Sequence, residues 1–94
     1  MTQSLTARER AHLKGRAHAL EPVVHIGGSG ATETVVAEID RALASHELIK
    51  VRIGSDDRDE RVTIGEQICE RTGAAAVHCV GKVLILWRPR PPEG

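Results

Sequence analysis

The sequence predicts an α/β fold: a single compact two-layer domain with elements in the order αβαβαββ and a mixed four-stranded sheet carrying helices. Three observations lead there. Apolar residues recur at helical spacing in three segments. Four short runs rich in Val, Ile and Leu stand between or after them. Pro22, the glycines at 27, 28 and 30, and Gly54, Gly73 and Gly81 punctuate the boundaries. The 94 residues suffice for one core, so one domain is predicted over 1–94, its core about 6–89 and its end, 90–94, a Pro-rich tail.

The first helix is predicted from Thr6 to about Ala19, with Leu13, Ala17 and Leu20 on one stripe. Two cationic rows flank it, Arg8-His12-Arg16 and Arg10-Lys14-His18, each at four-residue spacing. Gly15 within this helix costs about 1 kcal/mol relative to Ala, which points to a close packing contact there. Pro22 ends the segment, because the residue ahead of a proline is pushed toward extended geometry. Val23 to Ile26 then reads as a short buried strand. The second helix is predicted over Thr32 to His46, with Val35, Val36, Ile39 and Leu43 inward.

Leu48 to Ile53 alternates, with Ile49, Val51 and Ile53 on one face and Lys50 and Arg52 on the other. One face of the sheet is therefore expected to be packed and the other wet and positive. Asp57 and Glu60 resemble a capping box at the start of a third helix that reaches about Thr72, where Gly73 is the natural stop. Ala75 to Val80 and Val83 to Arg88 form two antiparallel strands turned by Gly81-Lys82. The first two strands, joined through a helix, should be parallel if they share a sheet.

Composition limits the function. Thirteen basic residues balance thirteen acidic ones, so bulk charge does not mark a nucleic-acid binder. The distribution is uneven. Residues 1–30 hold four Lys/Arg against two acids and residues 61–94 five against three, whereas residues 31–60 hold four against eight. That segregation permits a basic face on a neutral molecule. Trp87 is the sole aromatic, which excludes a platform of several rings for stacking bases. No apolar run approaches the ~20 residues of a membrane helix, and a secretory leader pattern is missing, so a cytoplasmic protein with no membrane partner is predicted. Cys69 and Cys79 are too few for a disulfide scaffold and read as core or sheet residues.

Catalytic motifs fail one by one. A nucleotide-hydrolysing P-loop needs Gly-Lys-Ser/Thr, but Gly30 precedes Ala31-Thr32. Arg58 interrupts the acidic series Asp56, Asp57, Asp59, Glu60, so no calcium loop forms. His78-Cys79 with Cys69 lacks the spacing of a zinc site. No nucleophile has a recognisable activating partner. The sequence therefore predicts no enzyme, cofactor, metal or small-molecule substrate, and a monomer.

What remains is the run Val23-Val24-His25-Ile26-Gly27-Gly28-Ser29-Gly30-Ala31-Thr32. A G-x-x-G loop opening onto a helix presents backbone amides and the positive end of the helix dipole to an anion, with no Cβ in the way. Such a loop can clamp a nucleic-acid backbone. The predicted contacts are Gly27, Gly28, Ser29 and Gly30 in the loop, with Lys14, Arg16, Lys50 and Arg52 adding charge; Arg8, Arg10, Lys82 and Arg88 extend it.

These residues also carry a resemblance. His12-Leu13-Lys14-Gly15, Ala17-His18-Ala19-Leu20, Pro22-Val23-Val24, the stretch from Ile26 to Glu33, and His46-Glu47-Leu48-Ile49-Lys50-Val51 resemble the CRM domain in its bacterial stand-alone, YhbY-like form. Gly81-Lys82 and Arg88-Pro89 resemble that family's ending, so the similarity spans roughly residues 8–89. The resemblance implies RNA binding, with large-subunit ribosomal RNA as partner during ribosome assembly. It also implies a fold similar to the C-terminal domain of translation initiation factor 3, with Gly27 to Gly30 facing RNA. The chain departs from the family where Gly28 and Glu21 stand at commonly basic positions. Each missing phosphate contact should flatten the salt dependence by about one unit of slope. The alternative reading is a ribosome-associated protein–protein adaptor that uses the acidic second helix and the Asp56–Glu60 turn.

Overall fold

The computed structural model describes residues 5–89, so the predicted tail at 90–94 lies outside the described residues. Helix α1 (Ala7–Ala17) starts at Thr6, whose Oγ1 accepts the Glu9 amide while the Glu9 carboxylate accepts the Thr6 amide, both at 3.1 Å. This reciprocal capping box satisfies two amides at the helix start and is legible in Thr6-x-x-Glu9. The helix is shorter than predicted. Its last turn closes with the His18 amide on the Gly15 carbonyl and the Leu20 amide on the Ala17 carbonyl. Leu20 consequently leaves the stripe and is 38% exposed, while Leu13 and Ala17 are buried. Gly15 faces open space, so the predicted close contact there is absent.

The remaining elements are β1 (Pro22–Ile26), α2 (Glu33–His46), β2 (Leu48–Ile53), α3 (Arg58–Thr72), β3 (Ala75–Val80) and β4 (Val83–Trp87), in the predicted αβαβαββ order. They form a mixed four-stranded sheet ordered β1-β2-β4-β3, with β1 parallel to β2 and the other pairs antiparallel. Thr32 and Asp57 cap α2 and α3, and Asp57 Oδ1 accepts the Asp59 and Glu60 amides. Gly73 ends α3 at φ +75° and Gly81 turns the β3–β4 hairpin at φ +57°, left-handed conformations that favour glycine.

Two cores flank the sheet. On one face Val24, Ile26, Ile49, Val51, Ile53, Leu84 and Leu86 pack against Ile39 and Leu43 of α2 and Ile64, Ile68 and Cys69 of α3. Ile39, Ile68 and Leu86 are fully buried, and truncating any of them to Ala should cost about 2–5 kcal/mol. On the other face Leu48, Val77 and Ile85 pack against Leu13 and Ala17 of α1.

The two-layer expectation needs correcting on this point, because α1 forms a partial third layer. The cause is β4, where Leu84 and Leu86 serve one core and the intervening Ile85 the other. Its unbroken apolar run is the pattern of a strand buried on both faces. The wet, positive part of the second face survives only at the end that α1 leaves open. There His25, Arg52, Val83 and Val80 lie in one cross-strand register, with His25 and Arg52 exposed.

Candidate nucleic-acid interface

The glycine loop leaves the sheet at the end of β1. Its base is fixed by the Gly54 amide, which donates to the Ile26 carbonyl at 2.9 Å and ties β1 to the exit of β2. The Gly30 amide then returns to the Gly27 carbonyl at 3.1 Å, closing a tight turn over Gly28 and Ser29. Gly30 has φ +70°, and its carbonyl accepts the Thr32 amide at 2.9 Å. Thr32 caps α2 by accepting the Val35 amide at 3.2 Å. From α3, Arg71 Nη1 donates to the Ala31 carbonyl at 2.9 Å and secures the far side of the loop.

Glycine is required by the fold at only part of this loop. Gly30 needs its left-handed backbone. Gly27 and Gly28 have no such φ, and a Cβ on either would meet nothing within 4 Å. Packing does not demand their missing side chains, and both are exposed beside a helix start whose first-turn amides lack intrahelical acceptors. The arrangement offers amides, a dipole end and open backbone to an anion.

The cations predicted for this site divide into two groups. Arg52 is exposed on β2, in register with His25, the residue before the β1 end that carries the loop. Lys14 and Arg16 are exposed on α1, with Arg16 at the end of that helix near β1. Lys50 is half-buried, and its Nζ donates to the Leu20 carbonyl at 3.0 Å, which leaves two donors on the ammonium for another partner.

The residues expected to extend the site are largely engaged within the fold. Arg10 Nη1 donates to the Ala76 and Val77 carbonyls at 2.7 and 3.1 Å. Arg88 bridges the Asp40 carboxylate, the Asp40 carbonyl and the Thr72 carbonyl. Lys82 pairs with Asp56 and, through that hydrogen bond first and its charge second, holds the Asp56 carboxyl below its usual range.

Layering explains how a neutral chain presents a positive surface. On α2 and α3, on one side of the sheet, exposed Glu33, Glu38, Asp40, Asp59, Glu60, Glu66 and Glu70 outnumber exposed Arg41, Arg58 and Arg71. Exposed Arg8, Lys14, Arg16 and Arg52 belong to α1 and the sheet face it shares. Among the described residues no group of three or more His, Cys, Asp or Glu is placed to hold a metal ion, and no helix is long and apolar enough to cross a membrane. Cys69 is buried and Cys79 exposed, both as free thiols.

A glycine loop with open backbone at a helix start, on a mixed sheet with a basic open end, is an α/β arrangement suited to a polyanion. Comparison with known proteins gives the family. Residues 5–88 match the model of the CRS1/YhbY (CRM) domain, and the chain belongs to that family. It is 46% identical over 86 residues to a Haemophilus influenzae protein named RNA-binding protein, covering 92% of this chain and 87% of that one. It is 35% identical over 88 residues to a Pseudomonas aeruginosa protein named probable RNA-binding protein, covering 94% and 85%. The fold matches the solution structure of a Staphylococcus aureus hypothetical protein, for which RNA binding has been put forward. That match has a TM-score of 0.85 and 27% identity over 97% of this chain and 95% of the other.

Proposed function

We propose that the whole chain acts as one non-enzymatic RNA-binding domain in the cytoplasm, engaging ribosomal RNA of the large-subunit precursor during ribosome assembly. The amides of Gly28 and Ser29 and the first turn of α2 hold backbone phosphates, the Gly30 amide being spent on the Gly27 carbonyl, with Gly27 leaving room for the strand. Arg52 adds charge from the open end of the sheet, and Lys14, Arg16 and Lys50 extend the field along the same side of the molecule. The observation that carries this reading is the pair Gly27 and Gly28, side-chain-free positions that neither packing nor backbone conformation requires. Family membership and the names of the relatives support RNA as the partner. Few exposed side chains here can read base edges, so RNA shape carries selectivity.

Filter binding of large-subunit ribosomal RNA across a range of ionic strength tests the proposal. Affinity should fall with salt, and Gly28→Asp, which meets open space and an ordinary backbone, should weaken binding while the protein stays folded. A flat salt response together with unchanged binding by Gly28→Asp would leave the adaptor reading, which the acidic α2 and α3 surface favours. Cosedimentation of the tagged protein with large-subunit precursors tests the ribosomal part.

A further inference from the structure

We infer that this interface takes single-stranded RNA, with one base lodged in a groove at the foot of β1 and a neighbouring phosphate at the glycine loop. The inference rests on the phosphate-clamp reading and adds the strandedness of the ligand and a second contact point.

The first support is the free edge of the sheet. β1 is an outer strand. The Ile26 carbonyl points inward to the Gly54 amide, so by strand alternation the N–H and C=O of His25 point outward, away from β2. One donor and one acceptor thus stand side by side on an open edge, directly below Gly27. Every unpaired base offers a matching acceptor and donor on its pairing edge, so this contact is tolerant of sequence. The opposite edge differs, since Arg10 already occupies the Ala76 and Val77 carbonyls of β3.

The second support is the groove itself, about 470 Å³, lined by Arg16, Leu20, Val23, His46, Leu48 and Ile49 among others. Leu48 and Ile49 make a buried apolar floor, while Leu20 and Val23 are 38% and 52% exposed at its rim. His46 contributes a flat ring on which a single base can stack. Val23 lies four residues before Gly27, about 13 Å along the strand, so a short extended stretch of one RNA strand reaches from groove to loop.

Charge selects the occupant. Arg16 lines the groove, and the Lys50 ammonium sits at the Leu20 carbonyl beside it, against one lining acid, Glu21. That balance suits the backbone of a polyanion. A duplex would bring phosphates to the loop but keep its base edges paired, leaving both the His25 edge and the apolar groove unused.

Fluorescence anisotropy with three labelled probes tests this: oligouridylate and oligoadenylate of about eight nucleotides, and a blunt-ended, self-complementary RNA duplex of about eight base pairs. Both single strands should bind more tightly than the duplex. Leu20→Asn and Val23→Asn, at exposed positions, should weaken single-strand binding about tenfold and leave duplex binding unchanged. Duplex binding equal to that of the single strands, or single-strand binding indifferent to both variants, would overturn the inference. So would a monomer–dimer change in Leu20→Asn seen by sedimentation, which would assign the groove to self-association. Gly28→Asp separates the two readings. If it weakens every probe while the groove variants weaken none, the clamp stands and the groove falls; if it weakens none, the clamp itself falls.

Discussion

Gly54 donates its amide to the Ile26 carbonyl at 2.9 Å, and a Cβ built on Gly54 would stand 3.1 Å from that same oxygen. The neighbour is backbone and cannot swing aside, so the hydrogen bond that anchors the loop also excludes a side chain. Gly28, two residues beyond Ile26, has neither constraint. The two glycines should therefore respond oppositely. Gly54→Ala should lose about 1–3 kcal/mol in urea unfolding, with RNA affinity per folded molecule little changed. Gly28→Ala should keep its stability or gain up to about 1 kcal/mol by restricting the unfolded chain, and Gly28→Asp, which sets a negative charge at the same open position, should bind RNA several-fold more weakly. Equal stability losses at both positions would remove the argument that Gly28 serves a ligand.

Arg52 and Lys82 lie near the same end of the sheet, but only Lys82 is paired, with Asp56. A cation already neutralised by a carboxylate displaces fewer counterions from RNA. Arg52→Gln should lower the slope of log affinity against log salt by about 0.7–0.9, the value of one phosphate contact. Lys82→Gln should leave the slope nearly unchanged. Salt titrations of both variants against one RNA fragment decide the matter.

Much of this architecture was legible because local signals agreed. Pro22, Gly73 and Gly81 each stand where a boundary or turn requires them, and Thr32 and Asp57 cap the helices whose apolar faces follow. The failures arose where a long-range contact decided. Leu20 falls on the helical stripe in the sequence although the helix closes at Ala17, and only the tertiary packing of Leu13 and Ala17 sets which turn is the last. The third layer is hidden in the sequence because β2 alternates cleanly, while the continuous apolar run of β4, which serves both cores, by itself says only strand. At the site, the loop could be found from its glycines. The engagement of Arg10 with β3 could not, since 66 residues separate it from Ala76. His25 could have been singled out from the alternation of Val24 and Ile26 inward with Val23 and His25 outward.

The Thr6 amide donates to the Glu9 carboxylate at 3.1 Å, and this bond first, with the Thr6 hydroxyl second, holds the Glu9 carboxyl below its ordinary value of 4.5. A carboxyl more acidic in the folded chain than in the unfolded one stabilises at neutral pH. That contribution is lost as pH falls through 4.5 and on through the lower folded value. Glu9→Gln should therefore show a shallower loss of thermal stability on the acid side than the parent chain. Thr6→Ala, which removes the cap itself, should cost about 1 kcal/mol at pH 7. Parallel acid limbs in the parent and Glu9→Gln would show that the capping box contributes nothing to the pH response.

Cys69 gives the alkaline counterpart. Burial first, and the nearby Glu66 charge second, push its thiol up from 9.0 to about 11. The unfolded chain therefore releases this proton at lower pH than the folded one, so stability is fully present below pH 9 and falls as pH rises toward 11. The full loss is about 2–3 kcal/mol, at roughly 1.4 kcal/mol for each unit of displacement. Cys69→Ala should flatten this limb, although it also leaves a small cavity beside Leu84 and Ala74 that lowers stability at every pH. The slope between pH 9 and 11, not the absolute midpoint, is the diagnostic quantity. Thiol labelling supplies an independent check: exposed Cys79 should react with a maleimide within the native state, and Cys69 only at the rate at which the core opens.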